Sequence, residues 1–183
     1  MIYAEDTVDA PEAALAATEH SLGESHASVT LLEYGDYECP ACIRAEPLVR
    51  GLIATTGPRL RFVFRHYPLV ELHAHAELAA EAAEAAAAQG QFWPMHQLLF
   101  SQIHKLTLPD LAAYAESIEL DMIRFNGEMA DRIYTQRVQE HRRAGEQSGL
   151  QTTPAFFLDG KLIDVSDGFG KLEDAVRAAL AGK

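Results

Sequence analysis

Val29-Thr30-Leu31-Leu32-Glu33-Tyr34-Gly35-Asp36-Tyr37-Glu38-Cys39-Pro40-Ala41-Cys42 is the stretch that decides the fold. Val29 to Tyr34 is β-branched and apolar, too short for a convincing helix, and ends at the turn-forming pair Gly35-Asp36, so it predicts a buried strand. A helical pattern takes over around Cys39-Pro40, where proline fits the first turn because its missing N–H removes no intrahelical bond. Pro47 falls inside that pattern and predicts a kink before the helix ends near Gly57-Pro58. Arg61 to Arg65, bounded by Pro58 and Pro68, reads as a second strand, and strand, helix, strand at this spacing imply a right-handed parallel crossover.

Working outward, the pattern from Leu72 to about Gly149 is helical. Apolar residues recur at Met95, Leu98, Leu99 and Ile103, at Leu111, Tyr114, Ala115 and Ile118, and at Ala130, Ile133, Tyr134 and Val138. Thr107 and Asp110 form a capping box for the second of these runs. The whole segment predicts a helical bundle inserted between two pieces of sheet. After Pro154, Phe156-Phe157-Leu158 and Leu162-Ile163 flank Asp159-Gly160, a strong signal for a two-residue hairpin. A last helix carries Leu172, Ala175, Val176, Ala179 and Leu180 on one face. Near the start, Asp9, Pro11 and Glu12 suggest a short helix with no evident packing partner.

The 183 residues fit one domain of about 150 residues or slightly more. With 48% hydrophobic and 23% charged residues, the composition is that of an ordinary globule able to bury a sizeable core. The net charge of −12 repels phosphate backbones and anionic headgroups, which argues against nucleic acid as a partner. The alanine-rich run from Ala76 to Ala88 is broken by Glu77, Glu81 and Glu84, so no membrane span is expected. Met1 to Ala10 has neither a basic n-region nor an apolar h-region. If Met1 is the true start, a cytoplasmic location is expected, and a periplasmic or extracellular one only if a leader has been removed.

Chemistry concentrates at Cys39 and Cys42, the two cysteines of the chain. A bridge between positions three apart closes too small a loop to be chiefly structural. A thiolate at Cys39 would face the free N–H groups and positive end of the helix, which lower a thiol pKa. Cys39 is therefore the expected nucleophile. Cys42, one turn further on, is the expected resolving thiol that attacks a mixed disulfide. Zinc would need two more ligands, and there is no second C-x-x-C. His73 and His75 offer nitrogens, but as alternate residues of a helix they would point in different directions, so no metal is expected. His66, His96 and His104 read as packing or surface histidines, and Trp93 as core or a wall beside the site.

The motif resembles DsbA-like members of the thioredoxin superfamily. The resemblance extends to Glu19-His20-Ser21-Leu22-Gly23, Phe64-Arg65-His66-Tyr67-Pro68-Leu69, Phe92-Trp93-Pro94-Met95-His96 and Thr152-Thr153-Pro154-Ala155-Phe156-Phe157. It covers about residues 19 to 180 and is especially close to thioredoxin-like domains found fused to sodium/proton antiporters. It implies an α/β thioredoxin fold with an inserted α-helical domain: an extension over 1–25, a first part of the fold over 26–70, the insertion over 71–149 and a second part over 150–183.

The resemblance also implies roles. Pro154 matches the family's cis-proline opposite the cysteines, and Thr153 the backbone that pairs with an extended substrate. Pro40 and Ala41 complete the expected substrate-binding set. Glu33 matches a buried acid that moves a proton to or from the deeper thiol, and Pro47 a structural kink. The expected activity is thiol-disulfide exchange on protein or peptide thiols and disulfides, with glutathione as a further candidate partner and no cofactor beyond the Cys39-Cys42 pair. A non-catalytic peptide-binding or chaperone module and a glutathione-dependent transferase or isomerase are the alternatives, and oligomeric state is left open. Strongly oxidising relatives carry histidine where this chain has Ala41. That departure, with Glu33, Asp36 and Glu38 nearby, predicts a less acidic Cys39 and a disulfide harder to reduce.

Overall fold

A computed structural model describes residues 19–102 and 105–182. The helix expected from Asp9 to Glu12, together with Ile103 and His104, lies outside the described residues. The sheet has the order β1-β3-β2-β4-β5. Its strands are β1 (His20–Leu22), β2 (Val29–Gly35), β3 (Leu60–His66), β4 (Ala155–Leu158) and β5 (Lys161–Ile163). β2 and β3 are parallel, with Leu32 opposite Val63, and the other pairings are antiparallel. The connection between the parallel pair is α1 (Pro40–Thr56), which continues unbroken through Pro47. Asp159 and Gly160 take positive φ of 47° and 84°, the left-handed pair that a two-residue hairpin of this twist requires.

Between β3 and β4 lie α2 (Ala76–Ala87), α3 (Phe92–Ser101), α4 (Leu108–Ser117), α5 (Met122–Ala130) and α6 (Thr135–Gln147), and α7 (Gly170–Ala181) closes the described chain. Thr107 caps α4 as its sequence predicts, its backbone N–H donating to Asp110. One face of the sheet shares a single hydrophobic cluster with α1, α7 and the inserted helices. Val29, Leu31, Phe62 and Phe64 meet Val49, Leu172, Met95 and a row of buried α2 alanines there. Small side chains let α2 pack closely in this cluster. The opposite face carries a second cluster of Leu32, Tyr34, Val63, Tyr67, Leu150, Ala155 and Phe157.

Three boundaries differ from the sequence reading. Residues 20–22, placed by the sequence in an extension, form an edge strand against Phe62 to Phe64; a run of three residues is too short to show alternation. The helical pattern does not begin at Leu72 but at Ala76, because the backbone N–H groups of Leu69 and His75 are captured by the Asp36 and Glu38 carboxylates. His73 and His75 are therefore loop residues. Finally, the run Ala130 to Val138 crosses the end of α5 and the start of α6, with Arg132 at φ 52° between them.

The acids that interrupt α2 face inward with partners. Glu81 is bonded by Arg132 and Thr135, and Glu84 by His20, His66 and Arg137. Both are buried, and a buried carboxylate is tolerated only when its lone pairs are satisfied in this way.

Gly145 of α6 shows how tightly the second cluster is packed. A Cβ there would lie 2.6 Å from the Tyr67 ring and 3.2 Å from the Tyr34 ring. Tyr67 cannot swing aside, because its hydroxyl donates to the Leu150 carbonyl at 2.6 Å. Gly145→Ala is expected to lose up to about 2 kcal/mol, since overpacking of about 1–3 kcal/mol is offset by a helix-propensity gain of only about 1 kcal/mol. Urea denaturation checks this; an unchanged or raised midpoint contradicts it.

Candidate active site

Cys39 is the N-cap of α1, in extended backbone conformation, with Pro40 at the first helical position. The Cys39 N–H donates to the Asp36 carbonyl, and the Cys39 carbonyl accepts from Ile43, so the turn and the helix fix the residue from both sides. Its Sγ lies 3.5 Å from the Thr153 carbonyl oxygen. The Thr153-Pro154 peptide bond is cis and brings that carbonyl over the helix N-terminus from the start of β4. Cys42 is fully buried one turn below, and both cysteines are free thiols.

The two sulfurs are electrostatically unequal. The Cys42 S–H donates to Cys39, and the Thr153 side chain and the N–H groups of Ala41 and Cys42 add to it. Together they outweigh burial and lower the Cys39 pKa to about 5. Cys42 is pushed well above its ordinary value by burial, by the bond it gives to Cys39 and by the negative field of Glu33 and Cys39. The sequence reading expects the helix N-terminus to lower the Cys39 pKa and Glu33, Asp36 and Glu38 to oppose it; donors converge on Cys39, while Asp36 and Glu38 turn their carboxylates to the 69–75 loop.

Glu33 lies in the middle of β2, 2% exposed, paired with Phe64 on one side and Phe156 on the other. Burial, then the charges of Glu46 and Cys39, hold its carboxyl well above the usual carboxylate range. Glu46 is a site neighbour that the sequence reading did not single out. It sits on the inward face of α1 with Cys42, Ala45, Val49 and Leu52, so helical periodicity alone flags it as a carboxylate on a buried stripe. Its other neighbours are Arg50 at 3.3 Å and His96 at 3.8 Å, and His96 Nδ1 meets the Tyr37 hydroxyl at 3.0 Å.

Beside Cys39 an open groove of about 900 Å³ runs along Ala41, Arg44, Thr153, Pro154, Leu162 and Ile163. Of the four residues expected to bind substrate, Ala41, Thr153 and Pro154 line it; Pro40 is exposed at the helix start and is not part of its wall.

His20 Nε2, His66 Nε2 and a Glu84 oxygen lie within 4.8 Å of one another, close enough to consider a metal ion. The surroundings favour a hydrogen-bonded carboxylate instead. Arg137 already places a cation 2.8 Å from the second Glu84 oxygen. His66 Nδ1 is buried without a partner, whereas a metal-bound histidine ordinarily donates its second N–H to an acceptor.

A strand running into a helix capped by the first cysteine of a C-x-x-C, faced by a cis-proline, defines a thioredoxin-fold protein. A family model described as Thioredoxin matches residues 15–178, and the chain belongs to that family. It is similar to the Na(+)/H(+) antiporter NhaA 1 of Salinispora arenicola, with 44% identity over 164 residues, 90% of this chain but 25% of the antiporter. The chain thus spans about a quarter of the length of this curated relative. Among solved structures, a thioredoxin-like oxidoreductase from Silicibacter pomeroyi superposes with a TM-score of 0.78 at 29% identity, covering 90% of this chain and 93% of the other. BdbD from Bacillus subtilis superposes with a TM-score of 0.80 at 21% identity, covering 90% and 94%, which shows the shared fold. Among the described residues no helix is long and apolar enough to cross a membrane.

The depressed Cys39 pKa makes stability depend on redox state. A group that titrates at about 5 when folded and ordinarily at 9.0 stabilises the folded dithiol increasingly as pH rises between those values, and loses that contribution as pH falls through about 5. The disulfide form has no thiol to titrate. The melting temperature of the dithiol form relative to the disulfide form should therefore climb from about pH 5 to about pH 8. A gap that stays constant across this range contradicts the assignment.

Proposed function

We propose that the chain is a thiol-disulfide oxidoreductase acting on protein or peptide substrates through a mixed disulfide at Cys39. The observation that carries this reading is the asymmetry of the pair: one thiol acidic at the helix N-terminus beside the cis Thr153-Pro154 bond, the other buried and held protonated. In the reducing direction, the Cys39 thiolate attacks a substrate disulfide, forming the mixed disulfide and expelling one substrate thiolate. Cys42 then gives up its proton and attacks Cys39 Sγ, which releases the second substrate thiolate and leaves a Cys39-Cys42 disulfide. Glu33 is the residue to accept the Cys42 proton, being a buried carboxylate whose charge acts on Cys42 directly. In the oxidising direction the same steps run backwards, and Glu33 returns the proton.

The groove along Pro154 and Ala41 suits an extended peptide, whose backbone would pair at Thr153 beside the reacting sulfur. The chemistry needs no cofactor beyond the cysteine pair, and a small thiol such as glutathione fits as an electron donor or acceptor. With Ala41 before Cys42, the couple is less oxidising than that of DsbA. A Cys39 pKa of about 5 supports this, lying above the ~3.5 of DsbA, because a less stabilised thiolate leaves the disulfide relatively more stable.

Insulin reduction by dithiothreitol, with and without the protein, separates a catalyst from a passive peptide binder. Cys39→Ser should abolish the acceleration, and Cys42→Ser should accumulate a mixed disulfide with substrate. Equal residual activity in the two variants contradicts the assigned roles. Equilibration with glutathione buffers should give a potential more negative than the roughly −120 mV of DsbA, and a value at or above that figure contradicts the weaker-oxidant reading.

A further inference from the structure

From Met1 to Cys42 there is no lysine or arginine, and Ala41 leaves no cation inside the motif. Yet two acids stand within three residues of the nucleophile. Asp36 is 2% exposed. Its Oδ1 accepts the Glu38 N–H at 2.8 Å, its Oδ2 accepts the Leu69 N–H at 2.9 Å and lies 2.7 Å from His73 Nδ1, and its own carbonyl accepts the Cys39 N–H at 3.1 Å. Glu38 accepts the His75 N–H at 2.7 Å and lies 3.1 Å from His75 Nδ1. One loop, residues 69–75, thus supplies an imidazole to each acid that precedes Cys39.

An unpaired buried carboxylate beside a thiol opposes its ionisation, and a cation paired with that carboxylate cancels the effect. We propose that His73 is a positioning residue for the thiol chemistry. As an imidazolium it neutralises Asp36 at the turn that holds Cys39 and so keeps the nucleophile available as a thiolate, while His75 serves Glu38 at the more exposed rim. The inference rests on Cys39 being the nucleophile.

The charged groups facing His73 are Asp36 and Glu38 of the β2–α1 turn and Cys39 at the head of α1; Asp110 of α4 faces His75. Burial disfavours the charge on His73, but Asp36 first, then Cys39 and Glu38, hold its pKa above the ordinary value. The cation is therefore present across the range in which Cys39 ionises and fades as pH rises through the His73 pKa.

The test is the iodoacetamide alkylation rate of the dithiol protein as a function of pH, with peptide mapping to assign the label to Cys39. His73→Gln should slow labelling about three- to tenfold near pH 5.5, because its Cys39 titrates at higher pH. The double variant D36N/H73Q, which removes the carboxylate along with its partner, should return to within about twofold of wild type. A His73→Gln protein labelled at the wild-type rate at every pH overturns the proposal, as does a double variant as slow as the single one, which would mark His73 as shaping the loop only. If His73→Gln does not fold, Asp36→Asn decides: labelling at least as fast as wild type is expected, and slower labelling overturns the proposal. A wild-type Cys39 that is inert, or that titrates like a free thiol, overturns this proposal and the oxidoreductase reading together, whatever the variants do.

Discussion

A sulfur anion can persist at Cys39 because several donors reach it in one small volume. The Cys42 S–H and the first N–H groups of α1 are all fixed by the same turn of helix. Helical geometry sets the donor at position 42 one turn below its acceptor, so a single backbone element both stabilises the Cys39 thiolate and, in the proposed mechanism, holds the thiol that displaces the substrate. The remaining architecture serves that arrangement. β2 delivers the chain to the helix start, β3 supports β2 from one side, and β4 arrives antiparallel on the other side with the cis peptide bond that aims the Thr153 carbonyl at the sulfur.

Beneath the pair lies a region that resists further charge. Glu33 and Glu46 are both buried near Cys42, and the neighbouring aromatic shell of Tyr37, Phe64 and Phe100 offers little solvation. Burial therefore pushes Glu33 and Cys42 in the same direction, towards their protonated forms. In the proposed mechanism, a carboxyl whose pKa is raised in this way is the group that takes the proton when Cys42 must become a nucleophile. Above the pair, by contrast, the acids Asp36 and Glu38 are tied down by histidines and backbone N–H groups.

Much of this was legible in the sequence where local rules apply. The β2 run, Pro40 at the first helical position, the Thr107 cap and the Asp159-Gly160 hairpin are each set by a few adjacent residues, and the structure places them accordingly. What escaped depends on distant partners. β1 has only three residues and exists because β3 offers an edge; His73 and His75 leave the helical pattern because Asp36 and Glu38, some 37 positions earlier, hold their loop. Glu81 and Glu84 look like solvent-facing interruptions of an alanine helix until Arg132, Arg137 and two histidines fold over them. The cis-proline and the buried acid came from family resemblance, because no spacing rule singles out Thr153-Pro154 or Glu33. How strongly Asp36 and Glu38 oppose the Cys39 thiolate escapes a count of nearby acids, since charge along the chain does not reveal which way each carboxylate turns.

The central claim is that one thiol of the pair is acidic and the other is not. The most direct measurement is the ultraviolet thiolate absorbance of the wild-type dithiol protein followed across pH. The account predicts one thiolate appearing with a midpoint near 5 and no second one until well above the ordinary thiol value of 9.0. Two thiols ionising together near that ordinary value would contradict it.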